Sequence, residues 1–364
     1  MQRELSVNKR ISIQNILPGM TVAEDVYTYD NRLVIPRGTV ITDKMLARLK
    51  DYSINNLTIL IPEKPAPEPV KTVMIHSDKI KNSPEFKQFN KDFLESVHEF
   101  KGHLSHIVDK DNAIDQTSLL TDVSKTLSET RNSIHLFDML HCMRGSDDIT
   151  YVHSLNVALI CNVFGHWLKL SDNDIEVLTL CGLLHDVGKL KLPHEILYKE
   201  DPLTDSEYEI VKTHPVLGYD VLKDKDLDQR VKNAALMHQE RCDGSGYPKK
   251  LQGGQIDSFA KIVAIADVYD AMTSARVYRP ALSPFDAIRI FESEGLQKYD
   301  PHYIMTFLEG IVNSYVGNHV RLNNNVEGEI ILINKQALSK PIIKSGDTFI
   351  DLSKEHNLHI VAIL

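Results

Sequence analysis

No stretch of this chain has the roughly 18 uninterrupted apolar residues that a membrane span needs. The nearest candidate, Val157 to Leu168, is short and is broken by Asn162 and His166. CxxC spacing is also absent. Cys142, Cys161, Cys181 and Cys242 lie far apart, which suggests a reducing cytoplasm, with Cys161 and Cys181 as helix-core residues. Blocks of Lys and Arg are missing, and the formal net charge is −9. A nucleic-acid polymer is therefore not an expected partner, although a few local cations could still hold a small phosphorylated ligand. Met1 to Ile13 is polar and lacks the apolar core of a signal peptide, so a cytoplasmic location is the expectation.

At 364 residues the chain suggests two or three domains. Its hydrophobic content of 42% and charged content of 25% are those of a soluble globular protein. Residues 1–61 have β character. Ile11 to Ile13 alternates, Leu17-Pro18-Gly19-Met20 is turn-like, and Leu33 to Ile41 reads as two short strands around a Pro/Gly turn. Thr42 is placed to cap a short helix over Asp43 to Asp51, and Asn56 to Ile61 is another strand. Residues 62–82 begin with Pro62, Pro65, Pro67 and Pro69, the composition of a stiff linker. Residues 83–146 turn helical. Ser83-Pro84 is a helix start, and Phe86, Phe89, Phe93, Val97, Phe100, Leu104 and Ile107 follow at spacings of three and four. That seam fits packing within one chain or a homodimer through residues 83–143. A second helix is expected over Gln116 to Met143. Residues 147–316 read as nearly all helix, interrupted at Lys191 to Asp205, Lys223 to Asp228 and Asp243 to Asp257. Residues 317–364 return to short strands, at Val320 to Leu322, Gly328 to Ile333, Pro341 to Ile343 and His359 to Ile363.

The chemistry gathers where an apolar helix, Leu180 to Leu184, runs into His185 and Asp186, with Lys189 one turn later. Burying an imidazole, a carboxylate and an ammonium together is costly unless something satisfies them. A metal ion that takes His185 and Asp186, with Lys189 facing an anionic substrate, would do so. Other candidates in apolar surroundings are His153, His214, His238 and Asp267. Singly, each fits a hydrogen-bonded core residue, and Asp267 fits an ion pair with Arg276 or Lys261. Together they form a mixed nitrogen and oxygen donor set suited to Fe, Mn, Ni or Zn rather than Ca or Mg.

His185-Asp186-Val187-Gly188-Lys189 resembles the HDxGK element of the HD phosphohydrolase superfamily. His238-Gln239-Glu240-Arg241-Cys242-Asp243-Gly244-Ser245-Gly246-Tyr247-Pro248 is similar to the HHExxDGxGYP signature of its HD-GYP subfamily. Asp267 to Ser274 and Arg276 to Arg279 continue the resemblance, which covers residues 147–310. It implies a mainly α fold: a helical HD-type domain between a small N-terminal β-rich (α+β) module and a C-terminal β appendage. It also implies two or three metals, Fe or Mn foremost, and hydrolysis of cyclic di-GMP to pGpG or GMP by metal-activated hydroxide. Carried over by position, the metal ligands are His153, His185, Asp186, His214, His238 and Asp267, with Asp186 bridging. Lys189 matches the catalytic lysine, and Arg276 and Arg279 match phosphate contacts. The Gly246-Tyr247-Pro248 loop reads as a lip of the pocket or a docking surface for other signalling proteins.

Two positions depart from the pattern. Gln239 stands where the subfamily has a second ligand His, and Ile149 stands where three-metal members have a Glu. An amide oxygen is a weaker donor than imidazole, and Ile has no donor atom. A two-metal site is therefore favoured over three. Gln239 also keeps alive a weak or inactive cyclic-dinucleotide receptor. Cyclic GMP-AMP fits the same chemistry as cyclic di-GMP. A nucleotide phosphohydrolase of the wider superfamily fits His185-Asp186 but leaves the Gly-Tyr-Pro block unexplained.

Overall fold

The computed structural model describes residues 6–12, 16, 19–27, 33–42, 45, 56–62, 80–110, 113–128, 130, 133–143, 149–199, 203–274, 282–355 and 357–364. Of the helix expected over Asp43 to Asp51, only Met45 falls among them. Most of the proline-rich stretch, together with Arg276 and Arg279, lies outside them. Two compact units are resolved, Met1–Val73 and Met74–Leu364. No helix among the described residues is long and apolar enough to cross a membrane.

In the first unit, β1 (Ser6–Ser12) pairs antiparallel with β5 (Asn56–Pro62), from Ser6 opposite Pro62 to Ser12 opposite Asn56. Strand β2 (Thr21–Val22) takes the other edge of β5. A separate pair joins β3 (Val26–Tyr27) to β4 (Leu33–Ile35). Val22, Ile35, Ile41, Leu57 and Ile59 close a small apolar core. The alternation of β5 explains it, since Leu57 and Ile59 lie on one face.

The second unit starts with α1 (Pro84–Lys110). Ser83 Oγ accepts the Phe86 N–H at 3.1 Å, and Pro84 occupies the first turn. All seven residues of the apolar seam, Phe86 through Ile107, are buried in this unit's own core. The single helix expected over Gln116 to Met143 is instead α2 (Gln116–Ser128) and α3 (Ser133–Cys142). Hydroxyls end α2: Ser128 Oγ donates to Lys125 O at 2.7 Å, and Thr130 donates from both N and Oγ1 to Leu127 O.

Among the described residues nine further α-helices follow: α4 (Ile149–Trp167), α5 (Asp172–Leu184), α6 (His194–Leu197), α7 (Asp205–Val211), α8 (His214–Leu222), α9 (Gln229–Met237), α10 (Ser258–Thr273), α11 (Pro284–Ile290) and α12 (Pro301–Ser314). The expected interruption at Lys223 to Asp228 is the gap between α8 and α9. Helix α4 packs along α5, and α10 packs on α4, α5 and α9. Gly182 permits the first contact, because a Cβ there would stand 2.9 Å from Ala158 Cα and Val157 O. Strands β6 (His319–Leu322), β7 (Glu327–Leu332), β8 (Ile342–Ser345), β9 (Thr348–Asp351) and β10 (Ile360–Ile363) form one antiparallel sheet in the order β10-β6-β7-β8-β9. Sequence reading misses β9, a short edge strand whose Phe349 is exposed. The inward residues Val320, Leu322, Ile330, Ile343 and Ile360 join the helical core. Glu292 fastens the sheet by accepting from the Leu338 and Ser339 backbone N–H groups.

Helix α2 carries a titratable flaw. Asp122 is buried, and its Oδ2 has no hydrogen-bond partner. Burial first, then the hydrogen bond and charge of Glu99, raise its carboxyl from 3.8 to about 6. The folded chain therefore keeps a proton that the unfolded chain releases above pH 4. Stability falls as pH rises through that window, by about 1–2 kcal/mol after allowance for solvent screening. Asp122→Asn is expected to remove this slope and to gain a similar amount at pH 7. Urea midpoints of both proteins at pH 4.5 and pH 7 check it; parallel pH dependence would rule it out.

Candidate metal centre

Five helices and one turn deliver the ionisable residues to one place. His153 comes from the middle of α4 and Asp267 from α10. His185 ends α5, and Asp186 leads into a 3-10 turn, Val187–Lys191, that carries Lys189. His214 is the first residue of α8, and His238 ends α9. All six expected ligands are buried: His185 and His238 are 0% exposed and Asp186 1%.

Asp186 stands at the centre and uses both oxygens. Its Oδ2 faces His185 Nε2 at 3.3 Å and His153 Nε2 at 3.6 Å. Asp267 Oδ1 completes that group, 3.0 Å from His153 Nε2 and 4.0 Å from His185 Nε2. Asp186 Oδ1 faces His214 Nε2 at 3.3 Å and His238 Nε2 at 3.5 Å. Burial would raise the Asp186 carboxyl, but Lys189 and then His185 outweigh it and hold it well below the usual range.

The imidazoles are oriented by the main chain. His185 Nδ1 lies 2.7 Å from Gly182 O, His214 Nδ1 2.7 Å from Val211 O, and His238 Nδ1 3.1 Å from Ala234 O and Ala235 O. A carbonyl only accepts, so each Nδ1 donates and each Nε2 keeps its lone pair. His214 and His238 thus turn two lone pairs toward each other across 3.1 Å. Burial pushes His214 down to about 3 and lowers His238 as well, which favours the neutral rings. His185 Nε2 and Asp186 Oδ1 are buried without any hydrogen-bond partner. Converging acceptors that lack a donor are costly by themselves and are what a divalent cation satisfies. Each of the groups His153, His185, Asp267 and His185, Asp186, His238 brings its ligand atoms within 4.8 Å of one another. The residues present therefore suit divalent cations, with Asp186 facing imidazoles through both of its oxygens.

His153 is held differently. Nδ1 donates to Asp270 Oδ2 at 2.7 Å, while Nε2 faces Asp267. Burial lowers its pKa, yet the hydrogen bonds to Asp267 and Asp270 prevail and raise it to about 9. A cation on Nε2 would displace that proton. Asp270 is itself held by Asn156 Nδ2 and Ser274 Oγ, each at 2.9 Å on Oδ1. Sequence reading gave these three residues no role. The available signal was Asp270 standing three residues after Asp267 on the same face of an apolar helix.

Lys189 donates to Asp186 Oδ2 and keeps 23% of its side chain exposed, so it borders both the cluster and solvent. Gln239, the departure from the subfamily pattern, donates from Nε2 to Asp267 Oδ2 at 3.0 Å. The Gly-rich loop is braced by buried Glu240, whose carboxylate accepts the Lys249 N–H at 2.7 Å and the Leu251 N–H at 2.9 Å. That bracing brings the Tyr247 ring to 6.2 Å from His214, edge on. Arg276 and Arg279 lie outside the described residues.

The chain was compared with known proteins. The HD domain profile matches residues 118–303, just over half of the chain. A cyclic di-GMP phosphodiesterase of Pseudomonas aeruginosa, PA4108, is 36% identical over 203 residues, 56% of this chain and 49% of that protein. A 3'3'-cGAMP-specific phosphodiesterase of Vibrio cholerae is 38% identical over 156 residues, 43% of this chain and 36% of that one. This chain spans half or less of the length of these curated relatives. Among solved structures, Bd1817, an HDG"Y"P protein from Bdellovibrio bacteriovorus, superposes with a TM-score of 0.51 at 19% identity, covering 83% of this chain and 98% of that one. At that identity the likeness speaks for the fold alone. With the match spanning α2 through the start of α12 and the whole cluster lying inside that span, the chain belongs to the HD domain family.

Proposed function

We propose that this protein is a metal-dependent phosphodiesterase that hydrolyses cyclic di-GMP to pGpG or GMP, with residues 147–316 as the catalytic part. The observation that carries the reading is Asp186, one carboxylate turned toward two separate groups of cation donors. Two divalent ions, Fe or Mn foremost, would be held by His153, His185, Asp186 and Asp267 on one side and by Asp186, His214 and His238 on the other. Such ions activate water at neutral pH and draw charge off phosphoryl oxygens. The chain's own residues do the rest. Asp186 keeps the two groups in fixed relation. Lys189, partly exposed to solvent, pairs with a phosphoryl oxygen as negative charge grows there and can pass a proton to the leaving ribose oxygen. Arg276 and Arg279 are assigned to the phosphates from their place in the motif. The apolar helices around the cluster exclude bulk water, which strengthens each of these interactions.

The relatives' names include both cyclic di-GMP and cyclic GMP-AMP phosphodiesterases, and either substrate presents the same phosphodiester to this cluster. A cytoplasmic place, docking of signalling proteins on the Gly246-Tyr247-Pro248 loop, and a homodimer through residues 83–143 belong to the same proposal. The test is turnover by protein loaded anaerobically with Fe(II) or Mn(II), offered each dinucleotide, with products read by chromatography. Linear product from cyclic di-GMP, abolished by a chelator and restored by the ion, is expected. Protein that binds the nucleotide yet stays inert with every metal would be a receptor instead.

A further inference from the structure

Gln239 occupies a ligand position of the HD-GYP signature, yet its contact is with a carboxylate. Its amide lies 3.0 Å from Asp267 Oδ2. A carboxylate has no hydrogen to give, so the amide presents its nitrogen and donates. The other oxygen of Asp267, Oδ1, is the one turned toward His153 and His185. Asp267 sits on α10 among apolar neighbours, and among the described residues no other side chain donates to Oδ2. Without the amide, that oxygen would compete with Oδ1 for the cation or turn away toward water.

From this geometry we infer that Gln239 is a positioning residue: it fixes Asp267 as a one-oxygen donor and thereby sets the cation affinity of the His153, His185 and Asp267 group, leaving the Asp186, His214 and His238 group untouched. This rests on the two-cation reading given above. The amide replaces a direct bond to metal with a hydrogen bond to a metal ligand, and outer partners of that kind are worth about 10–100-fold in affinity. The chain then keeps two sites, one of which depends on a side chain that never touches the ion.

The experiment uses the full chain stripped of metal and titrated with Mn(II) by calorimetry, with bound metal counted by elemental analysis. Gln239→Met removes the donor at nearly constant volume, and Gln239→Leu repeats the change with a different shape. Melting of the stripped proteins reports whether each variant folds. Wild type is expected to bind two ions per chain. In both variants one site should weaken about 10–100-fold while the other stays within threefold. In an Asp267→Asn background, Gln239→Met should cause no further loss, because its effect runs through that carboxylate. Unchanged affinity at both sites, equal weakening of both, or losses that add in the double variant would overturn the inference. Wild-type protein that binds no ion at all would sink the two-cation reading itself, a result separate from any of these.

Discussion

Asp186→Ala is expected to lower kcat/KM for cyclic di-GMP by about three orders of magnitude or more, with the chain still folded. The size follows from position. Each Asp186 oxygen serves a different donor group, so one substitution strips an anionic ligand from both. Four histidines and Asp267 would remain, too little charge to hold two divalent ions close together. The fold should survive because the lost group is the most costly one to bury, and Lys189, left without its partner, already has 23% of its side chain in solvent. Bound metal, measured beside the rate, should fall below two ions per chain. A variant that kept both ions and lost only the rate would mean that Asp186 acts on the substrate and does not hold cations.

The second large effect is expected at Gly188. A Cβ there would run into His214 O and the backbone of Gly218, so at this point the 3-10 turn and α8 meet main chain to main chain. Backbone cannot swing aside as a flexible side chain can. Gly188→Ala must part the two segments, at about 3 kcal/mol of stability. The same parting draws His214 away from Asp186, so affinity at the Asp186, His214 and His238 group should fall about 10–100-fold. Urea unfolding and Mn(II) titration read the two effects separately. Wild-type behaviour in both would show that the close approach is not maintained in solution.

The members of the buried cluster are legible in the sequence because they sit in short, rigid phrases. His185-Asp186 ends an apolar helix, and Asp267 interrupts one, so the cost of burial marks each residue. The seven-residue seam of α1 was legible for the same reason, as was the helix start at Ser83-Pro84. What failed to show depends on partners far along the chain. Asp270 and His153 are 117 residues apart, and nothing local to either announces the bond. Gln239 illustrates the point from the other side. Read alone it is a lost ligand, whereas its role depends on Asp267, 28 residues away. The break after Ser128 turned on two hydroxyls satisfying carbonyls, a choice that apolar periodicity does not encode. Strand β9 escaped notice because an edge strand with an exposed Phe lacks the alternation that marks a buried one.

The C-terminal strands restrict how this protein can be dissected. Val320, Leu322, Ile330 and Ile343 complete the same core as Phe307, Ile311 and Tyr315 of the last helical stretch. A chain cut at Gly317 would strip those four residues from the core and bare the apolar surface they cover, the kind of surface through which proteins clump. A shortened version that fell out of solution would therefore report the raw edge left by the cut and would say little about the chemistry it was made to isolate. Loosening the Glu292 clasp on Leu338 and Ser339 with Glu292→Gln is the gentler way to ask what the strands contribute.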